Sequence, residues 1–241
     1  MGRATRKLME LPPPATCSVI ERLNRFVVLV ECDGEVRRAY ITNTGRLKEL
    51  LVKGATAYCL TKASGRTDCW LIAIEEVGGP TLIDTRLQEE AFAKAVNSSL
   101  IPWLKSFKIA SRNPRVGNST FDYLLRDKGG EELIMELKSA VLRTGPHGEY
   151  ASYPDCRSLR GERHLANLIS LAKAGKRVGV TFITTLYSIK AFTPHDEGDP
   201  RIRPLLRKLR SAGGLVKALS IHYDPRGSAV LLGNTDVPVV L

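Results

Sequence analysis

Through the first third of the chain, apolar and polar residues alternate with the period of two that marks half-buried strands. The runs Cys17–Glu21, Phe26–Glu31, Val36–Ile41, Ala55–Thr61 and Trp70–Val77 read as short strands. Asp33-Gly34, between the second and third, is a hairpin signal because both residues tolerate the positive φ a tight turn needs. One short helix is expected at Arg46–Leu51, capped by Thr44. Five strands with one helix between the third and fourth is the order of an OB-fold barrel, although another small barrel of SH3 type has a similar order and stays open. Pro12-Pro13-Pro14 make residues 1–14 an extended lead-in.

The texture changes after Gly78-Gly79-Pro80. Leu87, Ala91, Phe92 and Ala95 fall on one side of a helix predicted over Thr85–Ser98. Strand-like runs follow at Phe107–Ala110, Phe121–Arg126 and Leu133–Lys138. A long helix, Ser158–Ala174, closes at Gly175, and a buried-type strand covers Arg177–Thr184. Ile189–Thr193, a helix near Pro200–Ala212, and strands Val216–Tyr223 and Ala229–Leu232 complete the chain. The division is therefore a small OB-fold-like β-barrel over 1–83 and an α/β domain with a mixed sheet over 84–241. Helix, three strands, helix, strand is the core order of the restriction-endonuclease-like, or PD-(D/E)xK, nucleases.

Within that order, Asp122 precedes Glu136-Leu137-Lys138 by fourteen residues. Strand alternation puts Glu136 and Lys138 on one face. If the two strands are neighbours, two carboxylates and an ammonium converge. Magnesium is held by oxygen ligands, one or two of them carboxylates. Asp122 and Glu136 suit Mg2+ or Mn2+, with the Leu137 carbonyl as a third ligand. Lys138, beside two carboxylates, stays protonated and can orient water or steady the phosphorane-like transition state. Glu89 and Glu90 on the preceding helix are candidates for a further ligand, Glu90 being the one chosen here; acids near a helix N-terminus also occur for dipole reasons alone. Alone, E-x-K is common in solvated strand ladders; the apolar strands, the preceding Asp and the flanking helices give it weight.

Arg160, Arg163, His164 and Asn167 recur at helical spacing opposite Leu165, Leu168, Ile169 and Ala172. Such a stripe is either a solvated face or a phosphate-binding one. Asn43-Thr44-Gly45 reads as a turn, on a barrel surface that could meet nucleic acid. Phe26, Tyr40, Tyr58 and Trp70 are the aromatics available there for stacking, some of them needed by the barrel core. The nucleic-acid-binding set is thus Arg160, Arg163, His164, Asn43 and Thr44. The loop from Arg143 to Cys156 has few aliphatic anchors and is expected to border a cleft.

Charge makes a polyanion the expected partner: the 241 residues carry a net +11. Both parts share the excess, +3 over 1–83 and +8 over 84–241. Five scattered cysteines without a C-x-x-C argue against zinc, and four of them are expected to act as free, small hydrophobes. The N-terminus has Arg3, Arg6 and Lys7 but no apolar leader, and no run is long enough to span a bilayer. A cytoplasmic location without membrane contact is expected.

The chain resembles the sugar fermentation stimulation protein A (SfsA) family from about Cys17 to Ala229. The resemblance is carried by Asn43-Thr44-Gly45, Ser119-Thr120-Phe121-Asp122-Tyr123-Leu124-Leu125, Glu136-Leu137-Lys138-Ser139, Tyr153-Pro154-Asp155 and Arg160-Gly161-Glu162-Arg163-His164-Leu165. It implies an N-terminal OB-like domain, a C-terminal PD-(D/E)xK domain, DNA binding largely without sequence preference, and a link to sugar-catabolic regulation. One departure stands out: Thr120 occupies the place where the family usually has Arg, which puts one phosphate contact in doubt.

A metal-dependent DNA-binding nuclease is the preferred reading. A non-catalytic DNA-binding regulator of sugar catabolism and an RNA-binding or RNA-processing factor stay open. So does a homodimer, because nucleases that cut both strands often pair sites by symmetry.

Overall fold

A computed structural model describes residues 6–241, so Arg3 and the rest of 1–5 lie outside the described residues. The lead-in is a strand before it is a linker. β1 (Arg6–Glu10) pairs antiparallel with the last strand of the chain, and Met9 is buried there. The sequence division at residue 83 places β1 with the barrel; spatially it forms an edge of the C-terminal sheet.

The barrel comprises β2 (Ala15–Asn24), β3 (Val27–Cys32), β4 (Glu35–Tyr40), β5 (Thr56–Thr61) and β6 (Cys69–Glu76). A parallel pairing of β4 with β6, Ala39 opposite Cys69 and Tyr40 opposite Trp70, closes it. Alternation sends Val28, Val30, Ala39 and Leu71 inward, and a bulge in the pairing of β5 with β6 brings Ile74 to the same side. This is the OB architecture expected from the strand order. β7 (Gly79–Leu82) continues from β6 as its antiparallel neighbour, so Gly78-Gly79 turns a hairpin at the place where the texture changes.

The helix expected at Arg46–Leu51 is reduced to a single turn, Leu51 N donating to Leu47 O at 2.8 Å. Leu47 has a φ of 49°, a left-handed conformation that a right-handed helix cannot continue through. Its N–H is spent on Asp155 Oδ2 at 2.8 Å, so a contact to the other domain overrides local helix preference. Thr44 caps nothing there; the side-chain turn is made by Asn43, whose Oδ1 accepts from Gly45 N.

The C-terminal part follows the expected order. α1 (Thr85–Asn97) is capped by Asp84, whose carboxylate accepts from Arg86 N and Leu87 N. Then come β8 (Phe107–Arg112), a small hairpin of β9 (Arg115–Val116) and β10 (Ser119–Thr120), β11 (Tyr123–Asp127) and β12 (Glu132–Ser139). A side sheet of β13 (Leu142–Thr144), β14 (Tyr150–Tyr153) and the later β16 (Ala191–Pro194) occupies the stretch read as a loop. α2 (Leu159–Lys173), β15 (Arg177–Thr184), α3 (Ile202–Ser211), β17 (Leu215–Asp224) and β18 (Ala229–Leu232) complete the chain.

The main sheet runs β1-β18-β17-β15-β12-β11-β8, with β12, β15 and β17 parallel and the others antiparallel. It is therefore mixed. α1 packs on one face, with Phe92 and Val96 against Tyr123, Met135 and Leu137. α2 and α3 cover the other with Leu165, Leu168 and Leu206 against Val180 and Phe182. Among the described residues no helix is long and apolar enough to cross a membrane.

The cysteines correct the reading of four of them as free. Cys17 and Cys32, opposite each other on β2 and β3, form a disulfide. Cys59 and Cys69 are buried thiols, and Cys156 is half-buried. A bridge of this separation is worth about 3 kcal/mol through the unfolded chain. Peptide mapping without reductant should find Cys17 linked to Cys32, with Cys59 and Cys69 alkylated only after unfolding. Cys17→Ser with Cys32→Ser should lower the Tm; an unchanged Tm and a free Cys17 would refute the bridge.

Candidate metal-binding active site

Register brings the charged residues together. β11 and β12 are antiparallel neighbours with Tyr123 opposite Met135. Asp122, the residue just before β11, therefore reaches the level of Glu136 and Leu137. It lies outside the strand proper, contrary to the expected run Phe121–Arg126. Asp122 Oδ2 accepts from Leu137 N at 2.6 Å, which fixes the carboxylate against the β12 backbone.

Glu136 is 2% exposed. Its Oε1 is shared by two donors, Lys138 Nζ from the same face of β12 and His164 Nδ1 from α2 at 2.5 Å. Oε2 is buried with no hydrogen-bond partner. Burial pushes the Glu136 carboxyl up, but Lys138 and His164 outweigh it and hold the group below its ordinary pKa. Burial likewise opposes the Lys138 charge, and Glu136 and the Tyr153 phenol more than offset it, so the ammonium stays protonated.

Glu89 of α1 faces the same cleft. Burial, then Asp122, pushes its carboxyl up to about 7. Asp122 is pushed up to about 6 by burial and by Glu136, against the bond from Leu137 N. Three carboxyls thus crowd one place with a single ammonium among them. Glu90, chosen from the sequence as the helix ligand, points away: it pairs with Arg112 at 2.6 Å on the surface. One residue along a helix turns a side chain by about 100°, and the alternation of the sheet cannot decide between neighbours on α1.

The cleft encloses about 530 Å3 between the barrel and the C-terminal domain. Arg25, Thr44 and Gly45 line it from the barrel; Leu137, Tyr153 and Arg160 line it from the other side. The stretch after Arg143 does border it, through Ser152 to Cys156. Of the residues expected to touch nucleic acid, Arg160 and Thr44 are exposed at this cleft. Arg163 is exposed in a separate groove between α2 and α3. Asn43 is buried, joined to Gly45 N and to Ser139 Oγ at 3.5 Å, and braces the barrel against β12. His164 is not on a solvated stripe but 2% exposed, on the face of α2 that carries Gly161, Leu165 and Leu168. Its spacing to Leu168, four residues on, was the signal for that face. Thr120 is exposed on β10, outside the cleft lining.

The neighbouring glycine shows how tightly α2 is seated. A Cβ at Gly161 would lie 2.5 Å from the Tyr153 hydroxyl and 2.7 Å from Ser158 Oγ, the helix N-cap.

Two family matches cover most of the chain: the SfsA N-terminal OB domain over residues 20–83 and the Sugar fermentation stimulation protein RE domain over 86–227. The chain belongs to the sugar fermentation stimulation protein family. A family member from Pyrococcus furiosus is 45% identical over 97% of this chain and its own full length. Another, from Archaeoglobus fulgidus, is 42% identical over 98% of this chain and again its whole length. The solved structure of Pyrococcus furiosus SfsA in complex with Ca2+ superposes with a TM-score of 0.92, at 43% identity, covering 98% of this chain and 99% of that one.

The raised carboxyls carry a stability consequence. Between the ordinary values of 3.8 and 4.5 and the folded values of about 6 and about 7, the folded protein holds protons that the unfolded chain has released. Stability of the metal-free protein should therefore fall as pH rises from about 4 to about 7. Thermal melts in EDTA should show the Tm falling over that range, and Asp122→Asn and Glu89→Gln should each raise it by a few degrees at pH 8. A Tm that rises with pH there, or falls in both variants, would contradict this charge arrangement. Gly161→Ala, despite better helix propensity, should lower stability by about 1–3 kcal/mol through overpacking.

Proposed function

We propose that the protein is a divalent-metal-dependent nuclease that hydrolyses DNA phosphodiester bonds in the cleft between barrel and α/β domain. The observation carrying this reading is the buried Glu136 Oε2 without a partner, in a cleft shared with the carboxyls of Asp122 and Glu89. A folded protein gains nothing from three crowded carboxyls unless a cation compensates them. The donors are all hard oxygens, the set that Mg2+ and Mn2+ take and that Ca2+, named with the Pyrococcus furiosus relative, also takes.

Asp122 and Glu136 would hold the cation, with the Leu137 carbonyl as a backbone ligand; Glu89 replaces Glu90 as the helix donor. A bound divalent cation supplies Lewis-acid polarisation of the phosphate and a more acidic attacking water. The remaining work belongs to this chain's side chains. Lys138, kept protonated by Glu136, offers its ammonium to the phosphate oxygens as negative charge accumulates. His164 fixes Glu136 through Oε1; with a carboxylate as acceptor the shared proton sits on Nδ1. Asp122 is oriented by Leu137 N before any substrate arrives. Arg160 and Arg25 at the rim suit the phosphates on either side of the reacting one, and the net +11 favours their approach. The proposed protein works in the cytoplasm.

Cleavage of labelled single-stranded, duplex and branched DNA with Mn2+ or Mg2+ tests this. Wild type should cut and be silent in EDTA. Lys138→Ala should lose at least about 100-fold in rate while its DNA affinity changes by less than about threefold. Binding without cleavage on every substrate, by a protein that also ignores divalent metal, would favour the non-catalytic regulator. Preference for RNA at matched salt would favour the RNA factor.

A further inference from the structure

We propose that a cation–aromatic patch on the barrel, exposed at Phe26 and half-buried at Tyr40 and Trp70, is a stacking platform for the bases of a single-stranded stretch of DNA. The patch comprises Phe26, Tyr40 and Trp70 with Arg25, Lys62 and Arg86. The inference rests on DNA as the ligand and adds which form of DNA is engaged, and where.

The chain has fifteen aromatic residues, and most of the large ones fill cores. Phe26 does not: it is 43% exposed in the turn between β2 and β3. That turn is firmly built. Asn24 Oδ1 accepts from both Phe26 N and Val27 N, and Phe26 O accepts from Ile41 N at 2.9 Å. Tyr40 and Trp70 lie opposite each other where β4 and β6 close the barrel. Ala39 and Cys69 beside them point inward, so alternation turns both rings away from the barrel interior, Trp70 resting one side against the core shared with α1. The Phe26 and Tyr40 rings are nearly parallel, 14° apart, with centroids 6.5 Å from each other. Three flat rings thus follow one another across the barrel wall.

Cations interleave them. The Arg25 guanidinium lies 5.3 Å from the Phe26 centroid, and Lys62 Nζ lies 5.8 Å from both Tyr40 and Trp70. Arg86 lies 4.7 Å from Trp70 and is anchored to Asp84 at 2.8 Å. Among the described residues, neither Arg25 nor Lys62 has a carboxylate within ion-pair distance. Arg25 can swing from its ring face to a phosphate when a base takes that face, and Lys62, whose Nζ donates to Thr67 Oγ1 at 2.8 Å, can exchange that neutral partner for a phosphate oxygen. Alternating rings and cations match a single strand, whose bases present π-faces and whose backbone presents one charge per nucleotide. A duplex hides those faces. Arg25 also lines the carboxylate cleft, so a strand leaving the platform passes directly into the site.

The test uses full-length protein in EDTA, where cleavage plays no part. Oligo(dT) and a duplex with equal phosphate number are titrated at matched salt, reading fluorescence anisotropy and tryptophan emission. Oligo(dT) should bind more tightly and quench emission, with the quench gone in Trp70→Phe. Phe26→Ala should weaken oligo(dT) about tenfold, leave the duplex within twofold, and keep the salt dependence; Phe26→Trp should restore binding. The exposure of Phe26 keeps folding out of the comparison. Unchanged oligo(dT) affinity in Phe26→Ala, an equal loss for duplex, or tighter binding of oligo(rU) would overturn the platform. Duplex cleavage without any single-strand preference would refute the platform alone. Ring-dependent oligo(dT) binding without cleavage would refute the nuclease alone.

Discussion

A carboxylate removed from water must be balanced where it stands, and Glu136 sets that requirement for the whole C-terminal domain. Its two donors come from different elements, Lys138 along the same strand and His164 from α2. The helix therefore cannot slide or rotate on the sheet without stranding a buried charge. Gly161 lets the first turn of α2 approach Tyr153, and Ser158 caps it, so the same helix end is pinned by shape as well as by charge. Asp122 is fixed from another direction by the Leu137 amide. The polar centre is consequently a keystone between sheet and helix as much as a place for chemistry, and stability and activity are coupled through it.

The barrel is attached to that centre rather than appended to the chain. Arg143 makes two 2.6 Å bonds to the Glu76 carboxylate at the end of β6. Asp155 receives the Leu47 amide, and Thr42 Oγ1 receives Thr85 N at the start of α1. Arg22 donates to the carbonyls of Gly45 and Arg46, holding the same barrel loop from behind. The Leu47, Asp155 and Arg22 contacts fall on the segments 43–47 and 153–158, which wall the cleft. A cleft between rigidly joined bodies is preorganised, which suits electrostatic catalysis better than one assembled on each binding event.

The period-two patterns located most strands because most barrel strands bury one face, and β12 was found instead as an apolar run buried on both faces. Asp122, Glu136 and Lys138 converge for the same reason: the distance between them is set by two neighbouring strands, a local fact. Choices that depended on which way a helix faces were less visible. Glu90 in place of Glu89, and His164 assigned to nucleic-acid binding, both came from α-helical neighbours whose sides are fixed only by docking. The Leu47 turn lost its helix to Asp155, 108 residues away, and no local propensity encodes that contact. The Cys17–Cys32 bridge follows from register between β2 and β3, which spacing along the chain does not reveal. β1 was hidden for a further reason, since five residues before a proline run carry too little periodicity to announce a partner more than 200 positions later.

That pairing of β1 with β18 has a consequence for biogenesis. On the ribosome the barrel has all its strands once residue 76 has emerged, whereas the large sheet lacks one edge until residue 232 does. β1 must wait for β18, which leaves Met9 without its partner strand over the synthesis of everything between them. The triple proline Pro12–Pro14 keeps this waiting strand stiff and apart from the barrel strand that follows it. Topologically the barrel is thus an insertion within the α/β domain, between β1 and α1.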